Sequence, residues 1–449
     1  MLNDVKSRNA ITEGVIWKQL LMFFFPVLLG TLFQQLYNTV DAVVVGRFVG
    51  KEALAAVGGS SAHILNLLIG FFTGVSSGAA VIISQYYGAQ DHEDVSRSVH
   101  TAICLAVGAG LIMTVLGLAT APWLLRVMDT PEETMADSLL YLQIIYIGMV
   151  PGMLYNMGSA ILRAVGDSRR PLYFLIACSL VNIVLDLLLV LVFDMGVAGV
   201  AVATIIAQTI SAWLVCRFLA RSKDSFRLEL RRLKPSRSML RRTVRIGLPA
   251  GIQSIMYALS NMILTTAVNG FGTDMVAGWV AMGKVDALNW LAMNALGVSL
   301  MTFSGQNYGA NRPDRVRHSI RISMGMAMGI AFGMCVLFVT CGRFMLGLFN
   351  DDPAVVQWGM IIILAISPWY WCYAPIEVFS GAFRGLGDTL LPTIFTAVGV
   401  CVVRVIWVYT VVPQWHDIRV VCISYPLSWA LTSLAFIFYY RRVKRLRLS

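Results

Sequence analysis

Charged residues are scarce in this 449-residue sequence: Asp, Glu, Lys and Arg together make up 13% of it, about half the share of a soluble domain. Polar stretches long enough to build a water-soluble domain are lacking as well. With 57% hydrophobic residues spread along the whole chain, the composition excludes a soluble enzyme and a nucleic-acid-binding domain. Close cysteine pairs are missing too. Cys104, Cys178, Cys216, Cys335, Cys341, Cys372, Cys401 and Cys422 are scattered through apolar segments, which excludes a disulfide framework. The opening MLNDVKSRNAITEGVIWKQ lacks the basic, apolar, small-residue order of a cleavable signal, so the first span is expected to be retained. What is present is apolar sequence, enough for about a dozen spans of roughly 20 residues each.

Acidic residues are in deficit, 24 against 35 basic ones. On a twelve-span topology with the N-terminus inside, 28 of the 35 Lys and Arg fall in inner segments, 5 in outer loops and 2 in spans. Positive charge marks the cytoplasmic side of short loops, so both termini of a multi-pass protein are expected in the cytoplasm. The basic runs Arg231, Arg232, Lys234, Arg237, Arg241, Arg242 and Arg441, Arg442, Lys444, Arg445, Arg447 each abut an apolar span. They read as topology signals and contacts to anionic membrane lipids, with no nucleic acid implied.

Apolar segments fall at 16–46, 53–84, 97–125, 134–162, 171–193, 197–220, 240–270, 275–305, 316–347, 354–383, 392–412 and 418–440. Several are longer than the roughly 20 residues a span needs, so tilting or bending is expected, with Pro26, Pro249, Pro368 and Pro375 as the bends. The expected architecture is all-α and polytopic, with twelve transmembrane helices in two pseudo-symmetric six-helix lobes. The lobes are residues 1–220 and 243–449, joined by the polar linker 221–242.

The two halves repeat each other. Gln85, Tyr87, Gly88 and Ala89 return as Gln306, Tyr308, Gly309 and Ala310, an offset of 221. Ser159, Arg163, Gly166, Asp167 and Pro171 return as Ser380, Arg384, Gly387, Asp388 and Pro392 at the same offset, and Pro26 matches Pro249 at 223. An even number of spans per half gives a parallel repeat, and two lobes rocking about a central site suit a transporter better than a channel. Locally the repeated blocks are helix punctuation. Gly88, Gly309, Gly166 and Gly387 can end a helix in the left-handed conformation, Asp167 and Asp388 can cap the next one, and Pro171 and Pro392 can open it.

The opening LLMFFFPVLLGTLFQQLYNTVDAVVVGRFVGKEALAAVG, the pair SQYYGAQ and SGQNYGA, and the pair LRAVGDSRRP and FRGLGDTLLP resemble the multidrug and toxic compound extrusion (MATE) family over essentially the whole chain. The first helix is most similar to the bacterial branch related to DinF and MepA. The resemblance implies an antiporter that expels organic, often cationic, drugs in exchange for H+ or Na+. The loop SQYYGAQDHEDVSRS lacks the run expected of the major facilitator superfamily, the other large family built of two six-helix halves.

Ionisable residues inside a span are costly, about 2.5–3.5 kcal/mol on insertion scales, and each is a functional candidate. The N-terminal half holds Asp41, Asp186 and His63, with the neutral polar residues Gln34, Tyr37, Asn38, Asn182 and Thr204. Helix rise places Asp41, Asp186 and Thr204 at similar depths, roughly 9, 12 and 13 Å from the outer helix ends. Asn182 is four residues before Asp186 and shares its face. Two carboxylates with amide and hydroxyl oxygens form a hard-oxygen set, suited to a proton or Na+ and unsuited to a transition metal. The family resemblance implies the same residues: this branch carries an acid in the first helix, Asn-x-x-x-Asp in the fifth and Thr in the sixth. A role in tying helices together remains the alternative. His63 reads either as part of the relay or as a hydrogen-bonded structural residue.

The C-terminal half carries Lys284, Asp286, Glu377 and Arg404, with Val403 and Trp407 at the repeat positions of Asn182 and Asp186. The cation site is therefore not duplicated. Lys284 and Asp286 point to different sides of a helix and need other partners, either Lys284 with Glu377 and Arg404 with Asp286 or the lining of a cavity. Abundant Met and aromatic residues suit a promiscuous drug cavity, for which Tyr37, Trp290 and Met293 are candidates alongside Gln34, Asn38, His63, Lys284, Asp286 and Glu377. Trp123 and Trp415 read as interface anchors.

These readings lead to a secondary antiporter working by alternating access, with no catalytic residues and no cofactor beyond the coupling ion. It is expected to act as a monomer on small organic cations or other drugs. The alternatives are a lipid-linked oligosaccharide flippase, which would need extra helices or a basic cavity, and an integral-membrane transferase. The latter would need clustered His, Asp or Glu at one membrane face.

Overall fold

The computed structural model describes residues 11–415 and 417–447. The polar stretch before Ile11 and the side chains of Arg445 and Arg447, two members of the C-terminal basic run, lie outside the described residues. Among the described residues there is no strand, and the long apolar runs form twelve helical rods. The first six are α1 (Ile16–Val49), α2 (Lys51–Gly88), α3 (His92–Val127), α4 (Glu132–Ile147 and Met149–Ala164), α5 (Arg169–Val192) and α6 (Gly196–Arg221). The second six are α7 (Arg237–Val268), α8 (Thr273–Gly309), α9 (Pro313–Gly347), α10 (Pro353–Gly385), α11 (Leu390–Thr410) and α12 (Ile418–Arg447). The all-α, twelve-span architecture expected from the apolar pattern is the one observed.

The repeat extends to individual backbone hydrogen bonds. After α2, Ala89 N–H donates to Gln85, Gln90 to Tyr87 and Asp91 to Tyr86; after α8, Ala310 donates to Gln306, Asn311 to Tyr308 and Arg312 to Asn307. After α4 and α10, Asp167 N–H donates to Leu162 and Asp388 N–H to Phe383. Gly166 and Gly387 are the left-handed residues here, at φ 96° and 81°. Gly88 and Gly309 are not. Gln90 and Asn311, two positions later, take that conformation at φ 58° and 55°, because the helix runs on through the glycine before the chain turns. Asp167 does cap α5, accepting from the Arg170 N–H at 3.1 Å, as Asp91 caps α3 through Asp94.

Pro26, Pro249 and Pro375 sit inside helices, and Pro368 lies in a tight turn, Ser367–Trp369, that interrupts α10. A sharp bend of 54° falls elsewhere, in α4 at Gly148. Pro151, in the first turn beyond that break, has no N–H to bond back to Ile147, so the break carries one lost hydrogen bond fewer. Two wide π turns also end helices: Gly50 N–H reaches back five residues to Val45 at 3.0 Å, and Phe193 N–H to Leu188 at 3.2 Å.

The chain folds into two compact units: Phe25–Gly251, and the chain up to Phe24 together with the chain from Ile252 onward. Both boundaries fall inside helices α1 and α7, within two residues of Pro26 and Pro249. We call the units N-terminal and C-terminal after their larger parts. In the N-terminal unit, α2 and the first half of α7 cross with backbones touching. A Cβ on Gly78 would meet the Thr243 carbonyl oxygen at 2.5 Å, and one on Gly247 would meet the Val75 carbonyl oxygen at 2.6 Å. Small residues at four-residue spacing on both helices permit this contact where no hydrophobic effect drives association.

The polar segment 221–242 is folded onto the same unit. Tyr87 donates to Asp224 at 3.2 Å, Ser236 N–H to Thr101 at 3.0 Å, and Glu229 N–H to His100 Nε2 at 3.0 Å. In the C-terminal unit, Arg312 and Arg315 hold the segment before α1 through the carbonyls of Thr12, Gly14 and Ile11 at 2.9, 3.0 and 3.1 Å. Both helix-leading segments are thus pinned by side chains from the end of the repeat motif's own helix or the helix that follows it.

Candidate functional site: a carboxylate pair in the N-terminal unit

Four helices of the N-terminal unit build the site. Asp41 stands on α1 one turn after Tyr37; Asn182 and Asp186 share one face of α5; Thr204 is on α6 and Tyr141 on α4. Asp186 is fully buried, Asn182 is 1% exposed and Thr204 8%. The Asp41 and Asp186 carboxyls come within hydrogen-bonding reach of each other. Apart from that approach, Asp41 Oδ1, both Asp186 oxygens and both amide atoms of Asn182 are buried without a hydrogen-bond partner. Each such group costs about 1–3 kcal/mol. Two ionised carboxylates cannot hydrogen-bond to each other; a proton or a small cation between them would satisfy both. Tyr37 and Tyr141 lie in the electrostatic field of both acids.

An apolar layer closes one side of the site. Val44, Val45, Val190, Val197 and Val200 form a buried cluster, with Val40, Val49 and Tyr141 packed against it. Val45 is four residues after Asp41, Val190 four after Asp186 and Val200 four before Thr204. Residues four apart stack on a helix, so the valine layer lies one turn beyond all three polar residues, toward the α1–α2 and α5–α6 connections. This places Asp41, Asp186 and Thr204 at one level, as their depths predict. The two π turns, Val45–Val49 and Leu188–Val192, follow directly on that level, and π turns are frequent beside functional sites.

The remaining candidates are dispersed. Gln34 and Asn38 are exposed on α1, and Tyr37 is half-buried. His63 is exposed, with Nδ1 at 2.9 Å from the carbonyl of Gly59. Lys284 is exposed on α8, and Met293 is fully buried in packing.

The charge pairs expected in the C-terminal half do not form. Glu377 accepts from Tyr373 at 2.9 Å and is ion-paired with Arg384 at 3.7 Å rather than with Lys284. Asp286 accepts from Trp290 Nε1 at 2.7 Å and from the Tyr370 hydroxyl. Arg404 lies over the Tyr425 ring at 4.1 Å and donates to Ser428 at 3.3 Å. Glu377 finds both partners and Asp286 one of its two within one or two turns of its own helix, whereas Tyr370 reaches Asp286 from α10 and Tyr425 and Ser428 reach Arg404 from α12.

The family model for MatE matches residues 26–188 and 249–410, two successive copies that begin at Pro26 and Pro249. The chain belongs to the MatE family. The first copy of the MatE match spans Asp41, Asn182 and Asp186; Thr204 lies beyond it. Members of the family are transporters, and this one is a membrane transporter rather than an enzyme. The chain is 29% identical over 439 residues to a probable multidrug resistance protein, YoeA, of Bacillus subtilis, covering 95% of this chain and 94% of that one. It is 22% identical to the multidrug export protein MepA of Staphylococcus aureus, over 88% of each. Its fold superposes with a TM-score of 0.92 on the outward-facing structure of a multidrug resistance MATE family transporter of the MOP superfamily. That match has 21% identity and covers 99% of this chain and 100% of the other.

Proposed function

We propose that this MatE transporter is a secondary antiporter of the bacterial cytoplasmic membrane, exporting organic, often cationic, compounds in exchange for H+ or Na+ by alternating access. The observation that carries the reading is the Asp41–Asp186 pair, two neighbouring carboxyls of which Asp41 Oδ1 and both Asp186 oxygens are buried without a donor. The names of the bacterial relatives, multidrug resistance and multidrug export, support the substrate class. The preponderance of basic residues in the segments on one side, 28 of 35, supports cytoplasmic termini.

In this reading Asp41 and Asp186 hold the coupling ion, with Asn182 and Thr204 supplying further oxygens. All four are hard ligands that fit Na+ and can equally hold a proton. The valine layer keeps water and ions from crossing the site along the helices. Ion arrival neutralises the pair and lets α1 and α5 approach; ion loss leaves two like charges that push them apart. That alternation is the bistable element to which export of substrate is coupled. The chain acts as a monomer in a lipid bilayer whose anionic head groups meet Arg441, Arg442 and Lys444.

The test is efflux of a fluorescent organic cation from proteoliposomes under an imposed H+ or Na+ gradient. Wild type should follow one of the gradients, and Asp41→Asn should abolish the response. Transport that ignores both gradients, or survives the substitution unchanged, removes the proposal.

A further inference from the structure

A second buried charge lies in the C-terminal unit, on the helices that repeat α1, α5 and α6. There Leu264 stands 223 positions after Asp41, while Val403, Trp407 and Tyr425 stand 221 after Asn182, Asp186 and Thr204. Both acids of the pair are thus replaced by uncharged residues. Beside Val403 is Arg404, 3% exposed. Its guanidinium stacks on Tyr425, the residue in the place of Thr204, at 4.1 Å. It donates to Ser428, its Nε is buried without an acceptor, and it forms no ion pair among the described residues. At this level, among the described residues, α1, α5 and α6 carry acids and no cation, whereas their repeats α7, α11 and α12 carry a cation and no acid.

A buried cation is stable only with a compensating negative charge or electron-rich groups nearby. An aromatic path supplies that link. Tyr425 packs edge-on against Trp429 at 5.5 Å between ring centres, and Trp429 lies 6.2 Å from both Trp290 and Tyr370. Trp290 and Tyr370 are the two groups that donate hydrogen bonds to Asp286. Tyr425 also sits in the field of both Asp286 and Arg404. The other buried carboxyl of this cluster, Glu377, is already paired with Arg384.

We infer that Arg404 is a resident cation. It is a positioning residue that takes the place of an exchangeable ion in the C-terminal unit and balances Asp286 through the aromatic cluster of Tyr425, Trp429, Trp290 and Tyr370. This unit then exchanges no ion, and coupling is confined to one site at Asp41 and Asp186. The inference deepens the antiporter reading and rests on it for the role of that pair; the charge balance of Arg404 with Asp286 stands separately.

The test is a double-substitution cycle on the full chain in proteoliposomes, reading ion-driven dye efflux and thermal stability for Arg404→Gln, Arg404→Lys, Asp286→Asn and the Gln/Asn double variant. Arg404→Gln should lower efflux roughly tenfold and reduce Tm, whereas Arg404→Lys, which keeps the charge, should retain most of both. Asp286→Asn should also impair the protein, and the double variant should recover stability and exceed Arg404→Gln in efflux severalfold. Losses that simply add, with Arg404→Lys no better than Arg404→Gln, would mean that Arg404 acts by packing and would overturn the inference.

If Arg404→Gln does not accumulate, Asp286→Asn against the double variant decides. Relief of the Asp286→Asn defect supports the pair, and no relief refutes it. Wild-type efflux should rise with the first power of coupling-ion concentration; a second-power dependence would refute the single coupling site. Asp41→Asn run in parallel separates the two readings, since ion-driven efflux in that variant removes the coupling role of Asp41 while the cycle still reports on Arg404.

Discussion

The carboxyl of Asp186 faces that of Asp41 within hydrogen-bonding reach, and neither Asp186 oxygen receives a donor from the surrounding protein. Neutralising one of the two should therefore relieve repulsion while destroying the ion site. We expect Asp41→Asn and Asp186→Asn each to cut ion-driven efflux by about two orders of magnitude. Each should leave Tm unchanged or raised, because replacing one of two opposed buried charges is often neutral or stabilising. Parallel efflux and thermal unfolding measurements check both halves of the expectation.

Val190 sits one turn beyond Asp186 in the buried valine layer. A polar side chain there would give ions and water a foothold next to the acid pair. Val190→Asn should raise substrate-independent ion leak across proteoliposomes several-fold while dye binding persists, and it should destabilise the unit by about 1–3 kcal/mol. A pH- or Na+-sensitive dye trapped in the vesicles reads the leak directly.

The contact of α2 with α7 rests on hydrogen side chains. Gly78→Ala places a methyl against the Thr243 carbonyl and should destabilise the protein by about 1–3 kcal/mol through overpacking. Gly329→Ala on α9, where an added Cβ meets nothing within 4 Å, should be neutral or slightly stabilising, since Ala is the better helix former by up to about 1 kcal/mol. Tm in detergent distinguishes the two.

His100 ties the polar segment down. Its Nδ1 lies 2.7 Å from the Ser96 carbonyl, so Nδ1–H donates there and Nε2 is left to accept from the Glu229 N–H. Loss of this acceptor in His100→Ala should cost about 1–3 kcal/mol locally. It should speed hydrogen exchange and tryptic cleavage around Arg227 and Arg231 without changing exchange in the C-terminal unit. Hydrogen-exchange mass spectrometry on the two proteins is the check.

Much of this was legible in the linear sequence. Apolar runs mark the twelve spans because a backbone in lipid must satisfy its own hydrogen bonds and so forms helices. Asp41, Asn182 and Asp186 stood out because buried polar groups are expensive and because four residues make one helical turn. The pairing of Glu377 with Arg384 is also legible, seven residues or two turns along one face, but nothing along the chain ranks it above a pairing with Lys284, a lone charge in an apolar run. Tyr141 has no local signal at all, since it packs onto the valine layer beside the acids from another helix. Nor did the left-handed residues announce themselves: the glycines at 88 and 309 suggested the turn, and Gln90 and Asn311 make it.

The sequence by itself determined the class, the number of spans, the twofold repeat and the short inventory of buried polar side chains, because each of these follows from periodicity or from the cost of burying a charge. Only the tertiary structure decided that the compact units change over inside α1 and α7, that Asp41 meets Asp186, and that Asp286 turns to Tyr370 and Trp290. These are choices among partners distant in the chain, set by how helix surfaces fit together, and no pattern along a single helix encodes them.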